Sequence, residues 1–258
     1  VDNMSIHLKE LKHGDLGEAT IIVGDPGRVS LLAEAFDKRS IIVNNREFLL
    51  MNGYYKNQKV SVCSTGIGVG STEICVSELL ENGAKQIVRC GGCGAWRDDI
   101  EPGDIILNTG MARTTGLMTT YVPDTYPAVA DSLLVSRIAK HLSGSKKIHI
   151  GLGLTAETYY IGQGRGISIK GKALPVPNMI EEWSSLGIMN CEMETAVLYI
   201  LASLYQIPAA NCLAVHVSRK NEKWECEEDY RKLHYEMAQL VLDAMLEPST
   251  QYEKEKEA

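Results

Sequence analysis

The chain has 258 residues, 45% of them hydrophobic and 23% charged, with a formal net charge of -7 and a pI of about 5.5. These are ordinary globular values, and the length suits one large α/β domain. The acidic balance lacks any Lys/Arg-rich stripe, which argues against a nucleic-acid partner.

No charged-then-apolar leader and no apolar run of membrane-spanning length stands in the sequence, so a soluble, cytoplasmic protein with no membrane partner is expected. Seven cysteines scattered through apolar segments read as reduced, buried thiols rather than a disulfide framework.

His7 lies in Ser5-Ile6-His7-Leu8, where a surface histidine is the ordinary outcome. The run Ala19-Thr20-Ile21-Ile22-Val23 reads as a strand, followed by the turn Gly24-Asp25-Pro26-Gly27-Arg28 and a helix over 29–36. That turn fits a plain strand-to-helix connection. It fits equally an anion site, with Gly24 admitting a ligand to the backbone and Arg28 adding a cation. Strands are predicted over 40–43 and 59–64, paired antiparallel through a turn at Asn52-Gly53. The glycine-rich stretch Ser64-Thr65-Gly66-Ile67-Gly68-Val69-Gly70-Ser71-Thr72 opens a helix over 73–81. Its spacing is neither a dinucleotide fingerprint nor a P-loop.

Residues 86–90 form a buried-type strand ending at Arg89-Cys90, then Gly91-Gly92-Cys93-Gly94. An arginine there needs an anion: a bound phosphate or a structural carboxylate. Cys90 and Cys93 make a C-x-x-C. No second Cys/His pair stands at metal spacing and no amphipathic helix follows, so redox and metal uses are set aside. Further on, a strand over 104–108, a helix over 126–142 and a strand over 146–154 are predicted. The loop 155–165 is rich in hydrogen-bonding and aromatic groups. Gln163 and Arg165 suit a cyclic imide edge and Tyr159 a flat ring, although a plain surface loop has the same composition.

In Ile188-Met189-Asn190-Cys191-Glu192-Met193-Glu194 two carboxylates stand two residues apart, and in extended backbone they share one side. They suit the hydroxyls of a polyol with Met193 against its ring, or else they are solvated charges opening the helix over 195–205. A strand over 210–217 and a helix over 228–246 close the pattern, and the polar tail 248–258 reads as disordered. The expected fold is a single α/β domain over 1–247, with a mixed, partly closed central sheet flanked by helices.

Gly24 to Arg28, Ser64 to Thr72, Arg89 to Ala95, Thr158 to Arg165 and Asn190 to Glu194 occur in the order seen in nucleoside phosphorylases. The chain resembles that family from about His7 to the final helix, and Gln163-x-Arg165 resembles its uridine phosphorylase branch. The resemblance implies phosphorolysis of uridine, with inorganic phosphate as co-substrate and no cofactor. Gly24, Arg28, Arg89 and Gly92 would surround phosphate, with Arg46 reaching in from a neighbouring subunit. Glu192, Met193 and Glu194 would bind ribose, and His7 of the neighbour its 5′-hydroxyl. Tyr159, Gln163 and Arg165 would hold the base. Arg89, Glu194 and Arg165 are the residues the resemblance makes catalytic.

Glu47, Ile67 and Ser71 match positions that hold a potassium ion between subunits in some members. Sites shared in this way imply a homodimer at least, and the family is commonly hexameric. Two positions depart from the pattern: the family usually has Thr or Ser where this chain has Gly92, and Thr often stands at Cys93 in the uridine branch. The purine branch usually has an aspartate where this chain has Arg219. The competing functions are a purine nucleoside phosphorylase, a nucleosidase, a non-catalytic nucleoside sensor and, last, a thiol oxidoreductase.

Overall fold

The computed structural model describes residues 5–114 and 116–248; the predicted disordered tail lies, from residue 249 on, outside them. In chain order the elements are β1 (Ala19–Val23), α1 (Pro26–Leu32), β2 (Asp37–Asn45), β3 (Phe48–Tyr55), β4 (Gln58–Ser64), α2 (Val69–Glu81) and β5 (Ile87–Ala95). There follow β6 (Ile105–Arg113), β7 (Ala128–Val129), α3 (Ser132–Leu142), β8 (Ile148–Thr155), β9 (Ser168–Ile169), β10 (Lys172–Ala173) and α4 (Met179–Ser185). The last are β11 (Ile188–Glu192), α5 (Thr195–Leu204), β12 (Ala209–Ser218), β13 (Lys223–Trp224) and α6 (Glu227–Met245).

The main sheet runs β13-β12-β6-β8-β11-β5-β1-β4-β3-β2, with β7 on β6. β5 organises it. On one side it pairs in parallel with β12 from Ile87 to Ala95. On the other it pairs with β1 as far as Arg89, then leaves it and meets β11 in antiparallel fashion at Gly94 and Ala95. The β12–β5 ladder closes β12, β6, β8, β11 and β5 into a ring, while β1, β4, β3 and β2 continue as an open wing. The expected single α/β domain with a mixed, partly closed sheet is therefore what the chain forms. Where β5 forks, the sheet opens at the ends of β1, β4 and β12, the usual place for a ligand crevice in α/β sheets.

Side-chain alternation assigns the faces. Ile21, Val23, Val88 and Cys90 pack with α1, α3 and α6, whereas Ile22 and Ile87 pack with α2 and α5. Arg89 therefore shares the α5 face, and Gly92 shares the α6 face with Cys90. Helix α5 is buried from Thr195 to Ala202. A polar network anchors it: Asn211 Nδ2 donates to Asn108 Oδ1 and Thr195 Oγ1, and the Tyr199 hydroxyl donates to the Asn108 carbonyl at 2.6 Å. All of these groups are buried, so their satisfaction fixes one register for the helix start.

Several expected boundaries move. Asn52-Gly53 is not a turn but lies inside β3, where Asn52 accepts from Ser61 Oγ at 2.7 Å and donates to the Asp15 carbonyl at 2.8 Å. Gly53 is needed there because a Cβ would come within 2.7 Å of Phe36 Cβ. The real turns fall at Arg46 and at Lys56-Asn57, all with positive φ. The predicted helix over 126–142 begins only at Ser132, capped by Asp131, whose carboxylate accepts from the Leu134 amide. The residues before it form β7. Helix α4 had no counterpart in the sequence reading. The cysteines are all free thiols; six are buried, while Cys226 is exposed. No helix among the described residues is long and apolar enough to cross a membrane.

Candidate active site

At the fork of β5 lies a cavity of about 670 Å³, within the usual range for a small-molecule site. Its walls include Gly24, Arg28, Arg89, Glu194, Gln163 and Arg165, which the sequence scatters over 170 residues. Gly92, Glu192, Met193, Tyr159, Glu47 and Ile67 also line it. His7, Arg46 and Ser71 do not line the cavity. Arg46 is exposed at the β2–β3 turn. His7 is held through its amide and Nδ1 by the buried Glu78 carboxylate.

Arg89 is only 4% exposed and joins the carboxylates at the end of β11 and the start of α5: Nε donates to Glu192 Oε2 at 3.1 Å, and Nη2 to Glu194 Oε2 at 2.6 Å. Of the two anions foreseen for it, structural carboxylates are the ones it meets. Two nitrogens hold the acids, and the buried Nη1 has no hydrogen-bond partner among the described residues. Arg28 likewise has a buried, unpartnered Nη1. Two arginines with unsatisfied N–H groups on one cavity are chemically suited to an anion. The start of α1 contributes less, since the Asp25 carboxylate already takes the Gly27 amide at 2.8 Å.

Glu192 and Glu194 do face one cavity, but they do different work. Glu192 Oε2 accepts from Arg89 Nε, the amides of Glu194 and Thr195 and the Thr195 hydroxyl, and Oε1 accepts from Thr155 Oγ1. It is chiefly a cap for α5 and a clamp on Arg89. Among the described residues Glu194 accepts the Gly68 amide on Oε1 and Arg89 on Oε2, so each oxygen keeps a lone pair for a ligand hydroxyl. Burial raises its pKa, and the Arg89 guanidinium opposes the rise.

Also on the wall, Arg165 lies 4.2 Å over the Tyr159 ring and donates Nη1 to Gln163 Oε1 at 2.9 Å. Burial first, and then the neighbouring Arg219, lowers the Arg165 pKa. Arg219, which the sequence reading treated only as a missing aspartate, is 7% exposed. It donates Nη1 to the Gln163 carbonyl and Nε to Glu222. It thereby fixes the loop that carries Gln163. With its Oε1 turned to Arg165, Gln163 keeps its Nε2 hydrogens for a ligand.

Other residues on the cavity were missed because they lie far along the chain. His216 stacks on Tyr230 at 4.1 Å, and Trp224 meets His216 edge-on. Behind them His234 is buried, with neither ring nitrogen partnered among the described residues. Burial, and then Arg28 and Arg89, holds its pKa well below the ordinary 6.5. The folded protein therefore leaves His234 neutral where the unfolded chain would take a proton. Its contribution to stability is full above 6.5 and is lost as pH falls toward the depressed folded value, at about 1.4 kcal/mol per pH unit. Urea unfolding of the wild type and His234→Phe at pH 7.5 and 5.5 checks this. A smaller loss in the variant is expected, and equal losses would contradict it.

Cys90 and Cys93 are both buried, and burial pushes the Cys90 thiol up to about 12 and raises Cys93 also. Neither is a ready nucleophile at neutral pH.

The description of the family model that matches residues 18–247 is the phosphorylase superfamily. Uridine phosphorylase of Klebsiella aerogenes is 32% identical over 240 residues, covering 91% of this chain and 94% of that protein. Guanosine phosphorylase of Halorubrum lacusprofundi is also 32% identical, over 74% of this chain and 75% of its own. The crystal structure of uridine phosphorylase from Vibrio fischeri superposes with a TM-score of 0.83 at 26% identity, covering 95% of this chain and 98% of that one. Matched by the family model from β1 through the end of α6, and by such relatives over most of its length, the chain belongs to the phosphorylase superfamily.

Proposed function

We propose that the protein catalyses phosphorolysis of uridine, and of 2′-deoxyuridine, to uracil and the pentose 1-phosphate in pyrimidine nucleoside salvage in the cytoplasm. One observation carries the reading: a single cavity is lined by Arg28 and Arg89, each with an unpartnered Nη1, by the half-used Glu194 carboxylate bonded to Arg89, and by the Gln163–Arg165 pair. Such a set matches phosphate, sugar and base. The relatives named uridine phosphorylase support the same assignment.

Phosphate on Arg28 and Arg89 attacks C1′ of the sugar as the bond to the base loosens. Glu194 accepts from ribose hydroxyls while Met193 packs on the ring, and the carboxylate and the phosphate dianion offset the positive charge that grows on the sugar. The electron pair of the broken bond leaves with uracil. Arg165 and Gln163 donate to the oxygens on which that charge spreads, through bonds that strengthen as it develops. Tyr159 stacks on the base. No covalent enzyme intermediate is required.

His7 and Arg46 do not line this cavity in their own chain, which fits a homo-oligomer in which each site is completed by a neighbour, a dimer at least and a hexamer by the resemblance. Glu47 and Ser71 both crowd Gly66, and Ser71 Oγ donates to the Ile67 carbonyl at 3.3 Å. These hard oxygen donors fit a potassium ion between subunits, which would offset the Glu47 charge. Sedimentation in potassium and in choline buffer tests both points: a monomer in each would contradict shared sites, and identical assemblies of identical stability would contradict the ion.

Base release from uridine and from inosine, with and without phosphate, tests the reaction. Phosphate-dependent release of uracil with inosine inert is expected. Inosine cleavage would move the base to a purine, release without phosphate would mean a nucleosidase, and binding of uridine without turnover would mean a sensor.

A further inference from the structure

Gly92 faces α6, and the space a side chain would fill there is already taken. A Cβ built on Gly92 would lie 1.9 Å from the Tyr230 hydroxyl oxygen. That phenol comes from the first turns of α6, 138 positions further along the chain, and it lines the cavity. Its ring is gripped on two sides, stacked on His216 at 4.1 Å and edge-on to His234 at 4.4 Å. The hydroxyl has no hydrogen-bond partner among the described residues, although Arg28 and Arg89 are the cations whose fields act on it. Those two arginines are also the ones with buried, unpartnered Nη1 atoms. The hydroxyl, held in position and without a protein partner, lines the same cavity as Arg28 and Arg89, where it can donate to an anion that they bind.

We propose that the Tyr230 hydroxyl is a phosphate-binding group of this site, delivered from α6 into the space that Gly92 leaves open. The inference rests on the phosphorolysis reading for the identity of the anion, and on the geometry alone for the residue. Burial raises the pKa of the phenol, so it donates as a neutral group. Gly92 and Tyr230 then form one unit. A hydroxyl-bearing side chain at position 92 and a tyrosine at position 230 exclude each other by volume, and either can place a donor at this point of the wall.

Calorimetric titration of the full-length protein with inorganic phosphate tests this without any turnover. Tyr230→Phe keeps both ring contacts and removes only the donor. It should weaken phosphate binding about tenfold or more and raise the KM for phosphate while leaving the KM for uridine near its wild-type value. Gly92→Thr alone should weaken phosphate more, by displacing the ring, and Gly92→Thr with Tyr230→Ala should recover part of the loss. Tyr230→Phe binding phosphate as tightly as wild type would overturn the proposal and leave the uridine assignment standing on its own assay. Weakened phosphate binding in Tyr230→Phe, in a protein that does not cleave uridine, would uphold the phosphate role and overturn the substrate. A wild type that binds no phosphate would overturn both.

Discussion

Arg89→Ala is expected to remove nearly all phosphorolysis, by about 10³-fold or more in kcat/KM, and to destabilise the fold by about 3–5 kcal/mol. The two losses have one cause. Arg89 is buried, and its three nitrogens divide between Glu192, Glu194 and the cavity. Alanine leaves two carboxylates without their shared cation and takes one of the two guanidinium forks from the phosphate end. Glu194, whose pKa burial already raises and Arg89 restrains, would then hold its proton further up the pH scale and lose the charge that offsets the sugar. Arg89→Lys separates the effects. A lysine restores a charge but not a planar fork, so it should recover part of the stability and little of the activity. Uracil release and urea unfolding on the same preparations provide the check. Activity within a few-fold of wild type in folded Arg89→Ala would remove phosphate from this end of the cavity.

Arg165→Ala is expected to lower kcat on uridine by about 10²–10³-fold while leaving phosphate affinity at its wild-type value. The reason is position. Arg165 stands with Gln163 and Tyr159, whereas Arg89 is bonded to Glu192 and Glu194, and in the proposed reaction the Arg165 charge matters most when the base departs as an anion. Loss of the guanidinium also frees the Gln163 amide to turn, so the base site loses its orientation as well as a donor. Arg219, which holds the Gln163 carbonyl, remains to keep the loop folded. Phosphate titration and steady-state kinetics of the variant give the test. Unchanged turnover would refute the leaving-group role, and a loss carried wholly by weaker phosphate binding would place Arg165 at the phosphate.

What the sequence made legible depended on distance along the chain. Glu192 ends β11 and Glu194, two residues on, stands immediately before the apolar helix, so their approach to one cavity and the start of α5 could be read directly. The strand before Arg89 showed as an apolar run, but its continuation to Ala95 did not, because glycines conceal a strand whose room is taken by side chains from elsewhere. Asn52-Gly53 misled for a related reason: the pair has turn chemistry, yet contact with Phe36 and Asp15 keeps it in mid-strand.

Division of labour between the two glutamates was invisible, since it is set by Thr155 and Thr195, which the fold brings to Glu192 and not to Glu194. Tyr230, His216 and Arg219 gave no local signal. An aromatic on an amphipathic helix and an arginine after a strand have ordinary explanations, and only the close approach of α6 to Gly92 and of β12 to the Gln163 loop gives them a place at the cavity. His7 and Arg46 were placed at the site by resemblance, and within one chain they stay outside it.

The most direct test of the central claim follows the sugar rather than the base. Uridine and inorganic phosphate are incubated with the protein, and the products are read by phosphorus NMR and by chromatography of the base. One equivalent of ribose 1-phosphate is expected for each uracil released, with inorganic phosphate consumed in the same amount. Uracil released together with free ribose, and phosphate left untouched, would contradict it.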